Sequence, residues 1–95
     1  MTDTGITREQ SPAKGRYVLR LNGAEAELTW SVVGPTKIIA DHTEVPEAMR
    51  GTGAGRRLVE RLVADARAEG VRVIALCPFV RAQAQRHPEW RDVFE

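Results

Sequence analysis

The chain has 95 residues, 42% of them hydrophobic and 28% charged, with a formal net charge of +1. This length supports one compact core, and the composition is typical of a soluble globular domain. The near balance of 14 basic and 13 acidic residues excludes a strong overall field that would attract nucleic acid or an anionic membrane. Cys77 is the only cysteine, so there is no internal disulfide framework.

No segment has the pattern of a secretory signal, and no apolar run approaches the roughly 18 residues of a membrane helix. We therefore expect a cytoplasmic protein that binds neither membrane nor nucleic acid. Residues 1–14 contain Thr, Asp, Gly, Ser and Pro without an apolar period, which predicts a flexible tail. The domain itself is predicted to span residues 15–95.

Three strands are predicted in the first half of the domain. Apolar residues alternate from residue 16 to residue 21, which is typical of a strand. Asn22-Gly23 then favours a type I′ turn into a second strand over residues 24–33. Gly34-Pro35 marks the next turn, and residues 37–45 are predicted to form the third strand.

The second half predicts a helix, a short strand and a second helix. Over residues 53–69, apolar side chains recur at a spacing of three and four, and Gly70 then ends the helix. Residues 71–76 form an apolar run typical of a buried strand, and the intervening helix favours its parallel pairing with the third strand. Residues 79–86 predict a short second helix, which His87-Pro88 ends. The predicted fold is therefore α/β (α+β), with a mixed sheet.

A glycine-rich loop lies between the third strand and the first helix, with the sequence RGTGAG from Arg50 to Gly55. Backbone N–H groups at the start of a helix suit phosphate oxygens. The glycines could also simply make a tight connection. No Lys-Ser or Lys-Thr follows them, which disfavours a Walker P-loop, and the GxGxG pattern differs from the GxGxxG of dinucleotide-binding folds.

This loop matches RxxGxG and resembles the coenzyme A pyrophosphate loop of the GNAT N-acetyltransferases. Three further motifs occur in the order of the small YjdJ-type subgroup of that superfamily. They are HTEVP at His42 to Pro46, CPFV at Cys77 to Val80, and HPEW at His87 to Trp90. The resemblance covers about residues 16–90.

The resemblance implies acetyl-CoA-dependent transfer to an amine, with acetyl-CoA or coenzyme A as the cofactor. It places the pyrophosphate on Arg50, Gly51, Thr52, Gly53, Ala54, Gly55 and Arg56, and the pantetheine arm on Thr43, Glu44 and Val45. GNAT folds usually insert helices between their first two strands, whereas Asn22-Gly23 joins them directly here. We therefore expect an open acceptor side, suited to the amine of a protein or peptide, on a monomer or weak homodimer.

Cys77 and His42 are the candidate catalytic residues. In the resembling fold Cys77 would lie near the thioester as an acid, a thiolate nucleophile or a wall residue, and a buried cysteine is commonly structural. His42 suits proton transfer near neutral pH but could equally be a hydrogen-bonded structural residue. Glu44 is a weaker candidate base. Neither histidine has a second ligand at a characteristic spacing, so no metal site is predicted.

Two other functions fit the same motifs. The main alternative is a coenzyme A or acyl-CoA binding module with little or no catalysis, because the glycine loop serves binding and transfer equally. A protein-interaction domain that uses an open sheet edge would show no dependence on cofactor.

Overall fold

The computed structural model describes residues 5–95, which form a mixed sheet and two helices. The strands are β1 (Ile6–Gln10), β2 (Lys14–Leu21), β3 (Ala24–Gly34), β4 (Lys37–Glu44) and β5 (Arg72–Ala75). The helices are α1 (Ala54–Glu69) and α2 (Pro78–Arg86), with 3₁₀ turns at Glu47–Met49 and Pro88–Trp90. The strands lie in chain order; β1 to β4 are antiparallel and β5 runs parallel to β4. The predicted α+β class and the parallel pair are confirmed.

The β2–β3 connection has the predicted two-residue geometry. Asn22 (φ 51°) and Gly23 (φ 82°) both adopt the left-handed conformation that a type I′ turn requires. Leu21 pairs directly with Ala24. The chain therefore passes from β2 to β3 without an inserted element.

The structure differs from the predicted tail over Ile6–Gln10, which forms strand β1 along β2. Residues 1–4 of that tail lie outside the described residues. Within β1 only Ile6 is buried, so the strand has too little alternation to be recognised from its own sequence. Its backbone pairs with β2 from Ile6 opposite Leu19 to Gln10 opposite Gly15.

A polar network also fixes β1 to α1. The Arg8 guanidinium pairs with Glu69 and lies 3.1 Å from Oδ2 of Asp65. The same carboxylate accepts a hydrogen bond of 2.7 Å from the Tyr17 hydroxyl and one of 3.0 Å from Nε of Arg61. Burial, the hydrogen bond to Asp65 and the charge of Asp65 raise the pKa of Tyr17 far above its usual value. The phenol therefore stays protonated and donates to Asp65.

The core lies between the sheet and the apolar side of α1. Five residues of α1 with the predicted helical spacing are buried: Leu58, Val59, Leu62, Val63 and Ala66. They belong to one cluster with Leu19 and Leu28 of the sheet and Val80 of α2. Each of the Leu and Val side chains stabilises the fold by about 1.5–3 kcal/mol when fully buried. Neither described helix is both long enough and apolar enough to cross a membrane.

The parallel strands pair over only four residues and then separate. The last pair is Ala40 opposite Ala75, after which the Cys77 N–H donates to the Ala40 carbonyl at 3.0 Å. On its other side β4 contains a bulge, because Ala40 pairs with Trp30 and His42 with Thr29, leaving Asp41 as the extra residue. The sheet thus opens between β4 and β5, next to the start of α2.

Candidate functional site

The glycine loop gives α1 an open N-terminus. Gly51 (φ 82°) and Gly53 (φ 79°) adopt left-handed conformations that favour glycine, and Gly53 occupies the N-cap position without a side-chain cap. Within the described residues, the N–H groups of Gly53, Gly55 and Arg56 have no acceptor in the protein. These donors point along the positive end of the helix dipole and fit an anion such as a phosphate.

The Thr52 side chain stabilises the loop conformation and does not add a free hydrogen-bond donor. Its hydroxyl donates to the Met49 carbonyl and accepts a hydrogen bond of 3.3 Å from the Ala54 N–H. The Ala54 N–H is therefore already hydrogen-bonded within the protein and is not available to a ligand. Thr52 holds the loop in the shape that leaves the neighbouring N–H groups available.

The charges at this helix end also favour an anion. The first turn of α1 has no acidic residue but contains Arg56, and a cation here is unfavourable for the helix dipole. Arg56 pairs with Glu60 at 3.2 Å, and its side chain remains 63% exposed. Arg50, which precedes the loop, is exposed. A bound anion would compensate both arginines and the helix dipole.

A cleft of about 330 Å³ extends from this loop to α2. Outside the loop, its walls are Val45, Met49, Arg56, Phe79 and Gln83. Gly55 is needed for close packing, since a Cβ at this position would lie 2.7 Å from Cζ of Phe79. The glycine loop and α2 therefore form one concave surface that combines anion-binding backbone with apolar side chains.

Residues Thr43, Glu44 and Val45 lie where β4 has left β5, because the parallel pairing stops at Ala40. Thr43 pairs with the buried Leu28 and so lies on the core face of the sheet, whereas Glu44 pairs with Glu27 on the opposite face. Val45 lines the cleft. Among the described residues, Glu44 and Val45 make no backbone hydrogen bond to β5 or α2, so an extended ligand could pair with this end of the segment.

Cys77 lies at the apex of the opening, as the N-cap residue of α2, and its side chain is buried. Its Sγ lies 3.5 Å from Oγ1 of Thr43. Burial alone would raise the pKa of the thiol. Favourable interactions of the thiolate with the Thr43 hydroxyl and with the N–H groups of Val80, Phe79 and Thr43 outweigh burial and lower this pKa.

The structure does not bring His42 and Cys77 together. His42 is exposed and pairs with Thr29, whereas Cys77 contacts Thr43 on the other face of β4. Any joint role must therefore act from two sides of the sheet. Among residues 5–95, no three His, Cys, Asp or Glu side chains form a group that could hold a metal ion.

Two residues of α2 extend the site beyond the predicted set. Phe79 and Gln83 are four residues apart on the helix and both line the cleft. Neither was predicted as a site residue, because the apolar pattern of this helix is short. Their spacing, which places them on one helix face, was the available signal.

The fold and this site define a class of protein in which an uncapped helix N-terminus lies beside a split parallel strand pair. The family model for the GCN5-related N-acetyl-transferases matches residues 16–93. The chain belongs to this family, as the resemblance of the loop implied, and acetyl transfer is the general reaction of the family.

Similar proteins agree with this assignment. Protein NATD1 of Xenopus tropicalis is 26% identical over 87 residues, which cover 90% of this chain and 80% of that protein. Protein NATD1 of Bos taurus is 28% identical over 85 residues, covering 87% and 75%. The solution structure of a GCN5-like protein from Staphylococcus aureus superposes with a TM-score of 0.71 at 28% identity, covering 98% of this chain and 91% of that one.

Proposed function

We propose that this protein transfers the acetyl group of acetyl-CoA to an amine. The observation that carries the proposal is the uncapped N-terminus of α1, which opens into a cleft that reaches α2 and Val45, the residue that follows β4 after it has separated from β5. A ligand with a phosphate at one end and a flexible arm at the other matches this shape. Acetyl-CoA would supply the acetyl group as a thioester at the end of that arm.

In the proposed binding mode, the pyrophosphate lies on the backbone from Gly51 to Arg56, with Arg50 and Arg56 compensating its charge. The pantetheine arm follows the free edge of β4 at Thr43–Val45. The arm would then end near the buried Cys77, where the strands separate.

Two side chains are suited to proton transfer in this arrangement. The Cys77 thiol could donate a proton to the departing coenzyme A sulfur, since its lowered pKa makes it a better acid than an ordinary thiol. His42, on the opposite face, could accept a proton from an amine that approaches from that face. The new bond joins the amine nitrogen to the acetyl carbon, and the carbon–sulfur bond breaks.

The proposed acceptor is a protein or peptide amine. The first two strands, β1 and β2, are joined by residues 11–13, and Asn22-Gly23 joins β2 to β3. Neither connection inserts a helix that would enclose a small acceptor. His42 and Glu44 on that face are exposed. An open surface admits an amine presented by a larger molecule more readily than it encloses a small one.

The second candidate function is a coenzyme A or acyl-CoA binding module. The observation that favours it is the separation of His42 and Cys77 on opposite faces of β4.

One experiment distinguishes the two functions: isotope-labelled acetyl-CoA is incubated with the protein and a panel of peptide amines, and products are identified by mass spectrometry. Labelled amide that disappears in the Cys77→Ala or His42→Ala variant supports transfer. Cofactor binding without labelled product supports the binding module.

A further inference from the structure

Gln83 is a buried polar residue in the wall of the cleft, and no hydrogen bond within the described part of the protein accounts for its burial. This residue is 9% exposed and lines the cleft beside Phe79, which lies one helical turn earlier on α2. Among residues 5–95 its side-chain amide makes no hydrogen bond. An amide that has no protein partner in a largely buried residue depends on water or on a ligand for its hydrogen bonds.

The amide of Gln83 faces the open part of the cleft. No described side-chain nitrogen or oxygen is both sealed from solvent and without a partner. The small exposed fraction of Gln83 therefore includes its amide end, and the cleft is the space that this residue lines. A ligand in the cleft could therefore reach a donor and an acceptor that no group in the described part of the protein uses.

The chemistry of Gln83 indicates which part of a ligand it would contact. A primary amide is neutral and offers both donors and an acceptor, so it complements another amide. Phosphate is better served by the backbone N–H groups of the loop and by Arg56. The walls next to Gln83 include the apolar side chains of Val45, Met49 and Phe79, which suit a neutral arm.

We infer that Gln83 hydrogen-bonds an amide of the pantetheine arm and is a specificity-determining residue. It would distinguish coenzyme A from nucleotides that carry similar phosphates but no arm. This inference rests on the proposed function, because it assumes that coenzyme A occupies the cleft.

The test compares two ligands on matched variants by calorimetry. Coenzyme A and adenosine 3′,5′-bisphosphate, which lacks the arm, are titrated into the wild type, Gln83→Leu and Gln85→Leu. Gln85 lies on the same helix but is exposed, so it controls for the substitution itself. We expect Gln83→Leu to weaken coenzyme A about tenfold, with no change for the bisphosphate and none for either ligand in Gln85→Leu.

Stability supplies an independent readout. Replacing an unpartnered buried amide by an apolar side chain of similar size should leave the thermal midpoint unchanged or raise it. If Gln83→Leu does not fold, the unbranched Gln83→Met variant is used with the same expectation. Unchanged coenzyme A affinity, or equal loss for both ligands, would overturn the inference. Failure of the wild type to bind coenzyme A would overturn the proposed function itself.

Discussion

The Cys77 side chain is buried and lies next to several hydrogen-bond donors. Burial and these donors shift the pKa of the thiol in opposite directions. Burial disfavours the thiolate, whereas the Thr43 hydroxyl and three backbone N–H groups favour it and prevail. We predict that the pH midpoint of Cys77 alkylation lies below that of the same thiol in the urea-unfolded chain. Thr43→Val removes the hydroxyl donor and should move the midpoint upward. Because the chain has one cysteine, the alkylation rate against pH reports this site alone.

Cofactor binding provides a second readout for the same residue. If Cys77 lies beside the thioester, saturating acetyl-CoA should slow its alkylation. Cys77→Ala should reduce transfer more than it reduces cofactor affinity. Equal alkylation rates with and without cofactor would place Cys77 outside the site, and a midpoint that Thr43→Val leaves unmoved would contradict the assigned donor.

Arg56 and Glu60 form an ion pair at the first turn of α1, with opposite expected effects on an anionic ligand. Arg56→Ala should weaken coenzyme A binding by about three- to tenfold, since it removes a cation next to the phosphate site. Glu60→Ala should leave affinity unchanged or increase it, because Arg56 is released from its partner. Calorimetry at low and physiological salt checks both variants. Equal losses would mean that the two side chains do not face the ligand as assigned.

At the level of elements, the loop before α1 depends on the backbone freedom of Gly53. Its φ of 79° is strained for any residue with a Cβ, although the space around that position is empty. Gly53→Ala should therefore lower the free energy of unfolding by about 1–2 kcal/mol. It should also weaken coenzyme A binding as the N–H groups shift.

Gly34→Ala is the matched control for that variant. Gly34 also has open space around its Cβ position but adopts no left-handed conformation. Urea unfolding and calorimetry on both variants separate loop strain from a general effect of adding a methyl group. If the two variants have the same coenzyme A affinity, the loop is not the binding element.

Strand β1 depends on Arg8 for its attachment to α1. Arg8 pairs with Glu69 and Asp65 while its side chain is 25% exposed, and its guanidinium lies over the rings of Tyr17 and Trp30. Arg8→Ala should lower the free energy of unfolding by about 1–2 kcal/mol and increase hydrogen exchange in β1. The control is Arg20→Ala, which breaks an exposed pair with Glu25 and should cost under about 0.5 kcal/mol. Equal effects would show that the network does not hold β1.

In the molecule as a whole, the sequence predicts an element best where a local pattern agrees with the way that element packs against the rest of the fold. Asn22-Gly23 specifies its own turn, and the apolar side of α1 has the helical period that its core contacts demand. β1 escaped prediction because its stabilising partners, Asp65 and Glu69, lie more than fifty residues away. No local pattern reports such contacts.

The candidate site was likewise predicted where its features are local and missed where they depend on distant contacts. The motif predicted the glycine loop at the start of α1, because a glycine's freedom and a helix start are local properties. The separation of His42 from Cys77 follows from strand alternation and from the register of β4 with β3, which depends on a bulge that the sequence did not reveal. Gln83 could be recognised only from its burial and its lack of a partner.

Binding of coenzyme A across the glycine loop and the β4–β5 split is tested most directly by an NMR titration of ¹⁵N-labelled protein with coenzyme A. We expect saturable shifts at the amides of residues 43–45 and 51–56, and at Phe79 and Gln83 on α2. The β2–β3 turn at Asn22-Gly23 should not respond. An unchanged spectrum, or shifts centred on that turn rather than on the loop, would show that coenzyme A does not bind at this site.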